Sequence, residues 1–265
     1  MIVVVGAGIA GLCAALAAAG DSRLGSEGLS AGGRASIPKN GTYRPQEVLL
    51  VCKDKFVESN TYHAQGGVAT AIFNDDSPAL HATDTMAAGH GLCDRTAVDI
   101  LTDEGARRVR ELIGDGWHVD RDSEGHVLRG LEAAHCRSRV VHAGGDATGK
   151  VLELDVSAMV RENPNITVLE HAFLNDVLVR DGHVAGVRLA VRDAQDGVET
   201  RVVDTDRVVL ATGGAGRLFP YTTNPAVATG DGLAAAIRAG AQVADLEFYQ
   251  FHPTALAIGE HFLVS

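Results

Sequence analysis

The chain opens on a β-branched run, Ile2-Val3-Val4-Val5, passes at once into Gly6-Ala7-Gly8-Ile9-Ala10-Gly11, and continues as an Ala- and Leu-rich stretch to Ala19. This order predicts a strand, a tight turn and a helix. A second buried strand is predicted at Val48-Leu49-Leu50-Val51-Cys52. Between them, residues 20–46 hold six Gly, four Ser and two Pro. A helix-to-strand connection is usually about 2–6 residues long, so 20–46 are expected to be an atypical flexible insertion. Further on, Val98, Leu101, Ala106, Val109, Leu112 and Ile113 recur among charges at helical spacing, predicting an amphipathic helix from Thr96 to Ile113 that Gly114 and Gly116 stop. A helix is also expected from Gly149 to Arg161. From Ile166 the pattern turns strand-like, with Asp181-Gly182 and Asp196-Gly197 as hairpin turns joining Val177–Val179, Val184–Val191 and Thr200–Val203. Val208-Val209-Leu210-Ala211 reads as a further buried strand running into Gly213-Gly214, and Thr229–Gly240 as a last helix.

Composition narrows the class. With 265 residues, 46% hydrophobic and 22% charged, the chain can bury a core and is neither disordered nor fibrous. Twenty-three basic against 34 acidic residues give a net charge of −11, which argues against nucleic acid and anionic lipid as partners. Cys13, Cys52, Cys93 and Cys136 stand far apart without a CxxC pair, as suits reduced thiols in a cytosol. The uncharged stretch from Met1 to Gly20 imitates a signal peptide or a short membrane span, but no Lys or Arg precedes Arg23 and glycines at 6, 8 and 11 serve neither. A cytoplasmic protein is expected.

The chemistry starts at Gly6, Gly8 and Gly11, a GxGxxG set between a predicted strand and helix. Its first glycine makes the turn, the second lets backbone approach a pyrophosphate, and the third lets the helix pack on the strand, while the helix N-terminus offers its free N–H groups to the phosphates. A purely structural glycine turn is the alternative. An NAD site usually has an acidic residue ending its second strand, whereas here Cys52-Lys53 stands there, followed by Asp54. A second cluster, Ala211-Thr212-Gly213-Gly214-Ala215-Gly216, also follows a predicted strand. Two such turns on one sheet suggest a cofactor long enough to span the strand ends, as FAD is; a turn needing small residues is the bland reading of the second.

With these stretches in view, the sequence resembles the flavoproteins of the L-aspartate oxidase and succinate dehydrogenase/fumarate reductase group. The resemblance rests on Ser59-Asn60-Thr61-Tyr62-His63-Ala64-Gln65-Gly66-Gly67, on Ala88-Gly89-His90-Gly91-Leu92-Cys93-Asp94 within the stretch from His81, and on His142-Ala143-Gly144-Gly145-Asp146-Ala147-Thr148-Gly149. Tyr221-Thr222-Thr223-Asn224-Pro225 and Leu246-Glu247-Phe248-Tyr249-Gln250-Phe251-His252-Pro253-Thr254-Ala255 complete it. It implies a glutathione-reductase-like α/β FAD-binding domain over 1–255, a Rossmann-type parallel sheet with an additional antiparallel β element, and 256–265 as the start of a capping domain that the chain lacks. Relatives with covalent FAD carry a histidine five positions before Gln-Gly-Gly. Asn60 holds that place and His63 is out of register, so noncovalent FAD is implied. Gly-Leu-Cys-Asp and Tyr-Thr-Thr-Asn-Pro look like the L-aspartate oxidase branch, which oxidises L-aspartate to iminoaspartate in the first step of de novo NAD biosynthesis, passes electrons to oxygen or fumarate, and has quinolinate synthase downstream.

The resemblance places FAD contacts at Ala7, Gly8, Ile9 and Ala10, at Lys53, from Asn60 through Gly67 (Thr61, Tyr62, His63, Ala64, Gln65 and Gly66 included), and at Asp231; Gly6, Gly11, Thr212, Gly213 and Gly214 join them from the glycine turns. Lys53 can offset pyrophosphate charge and Asp231 can accept from a hydroxyl, while a surface charge and a helix N-cap are their plain alternatives. For the dicarboxylate substrate it implies His252 at a carboxylate, Glu132 orienting, and Ser265 in the place of a contacting Thr. His252 could instead be a core histidine, and His135, Cys136 and His142 an incomplete metal set. Where the family reads Glu-Gly-Gly-His-Ser, this chain reads Glu132-Ala133-Ala134-His135-Cys136, so two methyl groups are added where backbone may need φ > 0. The family's catalytic arginine lies beyond Ser265, in a Glu-Ala-x-Arg-Gly-Glu-Gly stretch. The expectations are therefore an aspartate-oxidising flavoenzyme, with a noncatalytic FAD-binding fragment and a fumarate-reductase-type flavoprotein as alternatives. The chain alone is expected to be incomplete as a catalyst.

Overall fold

The computed structural model describes residues 1–21, 23, 45–252, 254–256 and 262–263. Most of the expected insertion at 20–46 lies outside them, as does Ser265. The elements in chain order are β1 (Ile2–Val5), α1 (Ile9–Ala18), β2 (Val48–Val51), β3 (Val68–Ala69), α2 (Pro78–Ala88), α3 (Arg95–Gly114), β4 (Val140–Val141), α4 (Thr148–Glu162) and β5 (Ile166–Leu169). They continue as β6 (Ala172–Arg180), β7 (His183–Arg192), β8 (Val198–Asp204), β9 (Val208–Leu210), α5 (Asp231–Arg238), β10 (Ala255–Leu256) and β11 (Phe262–Leu263).

Two compact units are present. One holds Met1–Asp21, the stretch ending at His63 and the described residues from Val156 onward. Its parallel sheet runs β5-β2-β1-β9, with Val3 paired to Leu49 on one side and to Val208 on the other. β1 and β2 are uniformly apolar because a central parallel strand is covered on both faces, and Val3, Val4, Leu50 and Val51 are fully buried. In the antiparallel sheet β6-β7-β8, Asp181-Gly182 joins β6 to β7 with both residues at positive φ, as a two-residue hairpin turn requires; the expected Asp196-Gly197 turn is instead the end of a longer loop, 193–197, in which Asp196 but not Gly197 has positive φ. Val187 and Leu189 from this sheet share a core with Val3, Val5 and Val51.

A second expectation is corrected. Val208–Leu210 is an edge strand rather than a buried one: it pairs with β1 alone, and Val209 and Leu210 are each 38% exposed.

The second unit holds Ala64–Asp155. Its β3 and β4 pair antiparallel through Val68–Val141 and Ala69–Val140. In α3, Asp94 caps the first turn by accepting from the Ala97 N–H at 2.8 Å, and Val98, Thr102, Ala106 and Val109 form the buried stripe. The short helix α2 is capped by Ser77, which accepts from the Leu80 N–H at 3.2 Å, and has Pro78 in its first turn, where a missing N–H costs nothing.

Candidate functional site

The site forms in the first unit where β1 and β9 end. Gly6 turns the chain out of β1 at φ +108°, and a Cβ built on it would lie 2.2 Å from the Ala211 carbonyl oxygen. Both facts demand glycine. A Cβ on Gly11 would come within 1.8 Å of the Gly6 carbonyl oxygen, so the first turn of α1 closes on the glycine turn itself. Helix α1 follows because Leu12, Ala15 and Leu16 bury one side of it and Ala and Leu are strong helix formers. Its N-cap, Gly8, makes no side-chain capping bond. The Ile9 N–H is satisfied instead by Thr61 Oγ1 at 3.0 Å, which ties the 59–61 loop over the helix start.

A cavity of about 330 Å³ opens there, at the low end of the roughly 300–1,000 Å³ typical of small-molecule sites. Of the expected residues, Gly6, Ala7, Gly8, Ile9, Ala10, Lys53, Asn60, Thr61, Thr212, Gly213 and Asp231 line it. Gly214 is exposed next to them. Tyr62 and His63 follow in the same unit, with the His63 Nε2 3.0 Å from Glu58 Oε1. Ala64, Gln65, Gly66 and Gly67 belong to the second unit: the Ala64 carbonyl accepts from the Gly149 N–H at 3.0 Å, and a Cβ on Gly67 would meet Val140 Cγ1 at 2.4 Å.

Lys53 is held rather than free at the surface. Its Nζ donates to Asp231 Oδ2 and to Thr229 Oγ1, and Thr229 Oγ1 in turn donates to Asp231 Oδ2 at 2.7 Å. Nor is Asp231 the N-cap of α5: Gly230, at φ 76°, takes that position and Asp231 is the first helical residue. Thr229 and Val227, and the acids Asp54 and Glu58 on the cavity wall, were not singled out from the sequence as cofactor contacts. The Thr-Gly-Asp triplet, a hydroxyl and a carboxylate around a left-handed glycine before a helix, was the available signal. Cys52 also lines the cavity, but burial pushes its thiol up to about 12, with the Glu170 and Asp54 carboxylates adding to the shift. It stays a neutral thiol without nucleophilic character.

Chemically, the cavity offers a glycine turn and helix start on one side, a cation at Lys53, and carboxylate acceptors at Asp54, Glu58 and Asp231. Backbone N–H groups and an ammonium suit phosphates, and carboxylates suit the hydroxyls of a sugar or ribityl chain. A Cβ on Gly8 would stand 3.2 Å from Thr61 Oγ1, so the space beside the turn has the width a glycine leaves. These residues fit a dinucleotide.

The expected substrate residues lie elsewhere. Glu132 is an exposed residue of the second unit, its Oε1 3.9 Å from His142 Nε2. His252, in the first unit, is exposed and accepts from the Thr254 N–H at 3.2 Å, which removes the core-histidine alternative. Ala134 has φ 68°, so one of the two alanines stands where the backbone favours glycine.

The FAD binding domain family model matches residues 30–265. The chain belongs to this family. Its cofactor is accordingly FAD, the dinucleotide that the glycine turn, Lys53 and the carboxylates can receive. The chain is 44% identical over 261 residues to an L-aspartate oxidase of Streptomyces coelicolor, covering 97% of this chain and 40% of that protein. It is 40% identical over 255 residues to one of Xylella fastidiosa, covering 96% and 44%. Among solved structures it resembles the Mycobacterium smegmatis Sdh1 complex, with a TM-score of 0.82, 29% identity and coverage of 100% of this chain and 43% of that one. Escherichia coli quinol fumarate reductase gives a TM-score of 0.76 at 30% identity over 89% and 36%. The FAD-binding chain thus spans less than half the length of the relatives it matches. Among the described residues no helix is long and apolar enough to cross a membrane.

Proposed function

We propose that this chain is the FAD-binding portion of an L-aspartate oxidase, converting L-aspartate to iminoaspartate with noncovalently bound FAD. Identity of 40–44% to L-aspartate oxidases over almost the whole chain carries the reading. The succinate dehydrogenase and fumarate reductase structures share the fold at 29–30% identity, and Asn60 replaces the histidine of a covalent link. On this reading electrons pass to oxygen or fumarate, the reaction opens NAD biosynthesis in the cytoplasm, and quinolinate synthase consumes the product.

In this function the glycine turn at Gly6–Gly11 and the start of α1 receive the pyrophosphate, Lys53 balances its charge, and Asp231 accepts a cofactor hydroxyl. The run from Asn60 through Gly67 provides backbone N–H donors, its Gln-Gly-Gly end unencumbered by large side chains. Bound FAD supplies a two-electron acceptor for the hydride leaving the substrate Cα. His252 binds a substrate carboxylate, Glu132 faces the ammonium and fixes which hydrogen of the substrate points forward, and Ser265 adds a hydroxyl contact.

The test is hydrogen peroxide production by the FAD-loaded protein at the length of its L-aspartate oxidase relatives. Turnover with L-aspartate, lost in His252→Ala, is expected. Turnover with succinate and none with L-aspartate would overturn the reading.

A further inference from the structure

The second unit contains a buried ionic network around Arg139, and the loop that presents Glu132 is fastened to it. Arg139 is fully buried. Its guanidinium grips Asp76 with two bonds of 2.8 Å, through Nε and Nη2, and donates through Nη1 to Asp84 Oδ2 at 2.6 Å. Nη1 also lies 3.2 Å from His135 Nδ1, and Nη2 lies 3.7 Å from Cys136 Sγ. Asp84, on α2, holds the loop by its backbone as well, accepting from the Cys136 N–H at 2.9 Å. Burial opposes the charge on Asp84, yet the Cys136 N–H and Arg139 together outweigh it and keep the carboxyl at about 2.

The loop needs such an anchor. Gly130 and Val140 close its base through bonds of 2.8 and 3.1 Å, and inside it the His135 N–H reaches the Glu132 carbonyl at 3.3 Å. Ala134 holds φ 68° against the preference of an L side chain. A turn with few internal bonds and an unfavourable dihedral keeps one shape only if its surroundings impose it. The imposing groups outside the loop are Asp84 and Asp76, which grip its Cys136 amide and its Arg139 guanidinium.

We propose that Asp84 and Arg139 are positioning residues: through His135 and the Cys136 amide they fix the loop so that the Glu132 carboxylate is already in place when a dicarboxylate amino acid binds. This rests on the reading of Glu132 as a substrate-orienting group. A pre-set carboxylate spares the substrate the cost of ordering the loop, so loosening the network raises KM.

The test is a double-mutant cycle in the FAD-loaded protein at its relatives' length, with kcat and KM for L-aspartate measured for Glu132→Gln, Asp84→Ala and the pair. Each single variant is expected to raise KM about tenfold with flavin content unchanged, and the pair to be no more than about threefold worse than the worse single. Multiplying effects, a wild-type KM in Asp84→Ala, or loss of flavin from that variant would each overturn the positioning role while leaving Glu132 where it is read. A wild-type KM in Glu132→Gln would overturn the reading of Glu132 and the proposal with it. Should Asp84→Ala not fold, Asp84→Asn keeps an acceptor for the Cys136 amide while removing the charge that faces Arg139. The same cycle then applies, with non-multiplying effects expected and multiplying effects overturning the proposal.

Discussion

Lys53 and Asp231, 178 positions apart in the chain, are joined as an ion pair at the wall of the FAD cavity. Lys53 follows β2 and Asp231 opens α5, so the pair sets a cation and a carboxylate side by side on the cavity wall.

Lys53→Met is expected to weaken FAD binding at least about tenfold, since a charge-assisted contact to phosphate is lost and Asp231 is left uncompensated. Fluorescence titration of the apoprotein reads the effect. If Lys53 merely neutralises Asp231, adding Asp231→Asn restores affinity; the prediction is that it does not.

Gly6 and Gly8 are expected to fail differently. Gly6→Ala forces a side chain onto φ +108° and against the Ala211 carbonyl, so it should destabilise the fold by at least about 2 kcal/mol, read by urea unfolding. Gly8 has no positive φ and only a 3.2 Å approach to Thr61 Oγ1, so Gly8→Val should lower the unfolding midpoint less than Gly6→Ala does while abolishing FAD binding by filling the space beside Thr61. Normal flavin content in Gly8→Val would refute a cofactor role for this turn.

Acid precipitation should release the flavin into the supernatant, because Asn60 cannot form a histidyl link. Flavin fluorescence that stays with the washed pellet would contradict noncovalent binding.

The Arg139 network also sets an acid limit. The Asp84 carboxyl is held at about 2 in the folded chain against about 3.9 when unfolded. A lowered folded value contributes stability that is complete above the unfolded value and disappears as pH falls toward the folded one. Wild type should therefore lose stability between about pH 4 and about pH 2, and Asp84→Asn should start less stable but show a shallower loss over that window. Parallel stability curves for the two would refute the assignment.

Much of the first unit was legible because its signals are local. β-branched runs, the glycine turn and the Asp181-Gly182 hairpin each carry their geometry within a few residues, and β1, β2, β6 and β7 follow them. Helix α2 carries no helical periodicity in its sequence, since its apolar positions make no buried stripe and Ala82 is its only buried residue. Ser77-Pro78, a capping residue followed by a proline that tolerates the first turn, was the signal to use. The edge position of β9 is not legible in its sequence, because an apolar run looks alike in the middle and at the edge of a sheet. The Arg139 network was out of reach altogether, since Asp76, Asp84 and Arg139 lie 55 or 63 positions apart in the relevant pairs and no local pattern pairs them.

The contact of Gly6 with Ala211 has a consequence for how the protein comes into being. The glycine turn comes far earlier in the chain than the wall it leans on, which is β9 and the residue just after it. During synthesis the first strand, turn and helix emerge long before that wall exists, and closing so long a loop is slow. The cradle for FAD is therefore complete only after Ala211 has left the ribosome, and until then β1 has β2 along one edge but an unpaired apolar edge along the other.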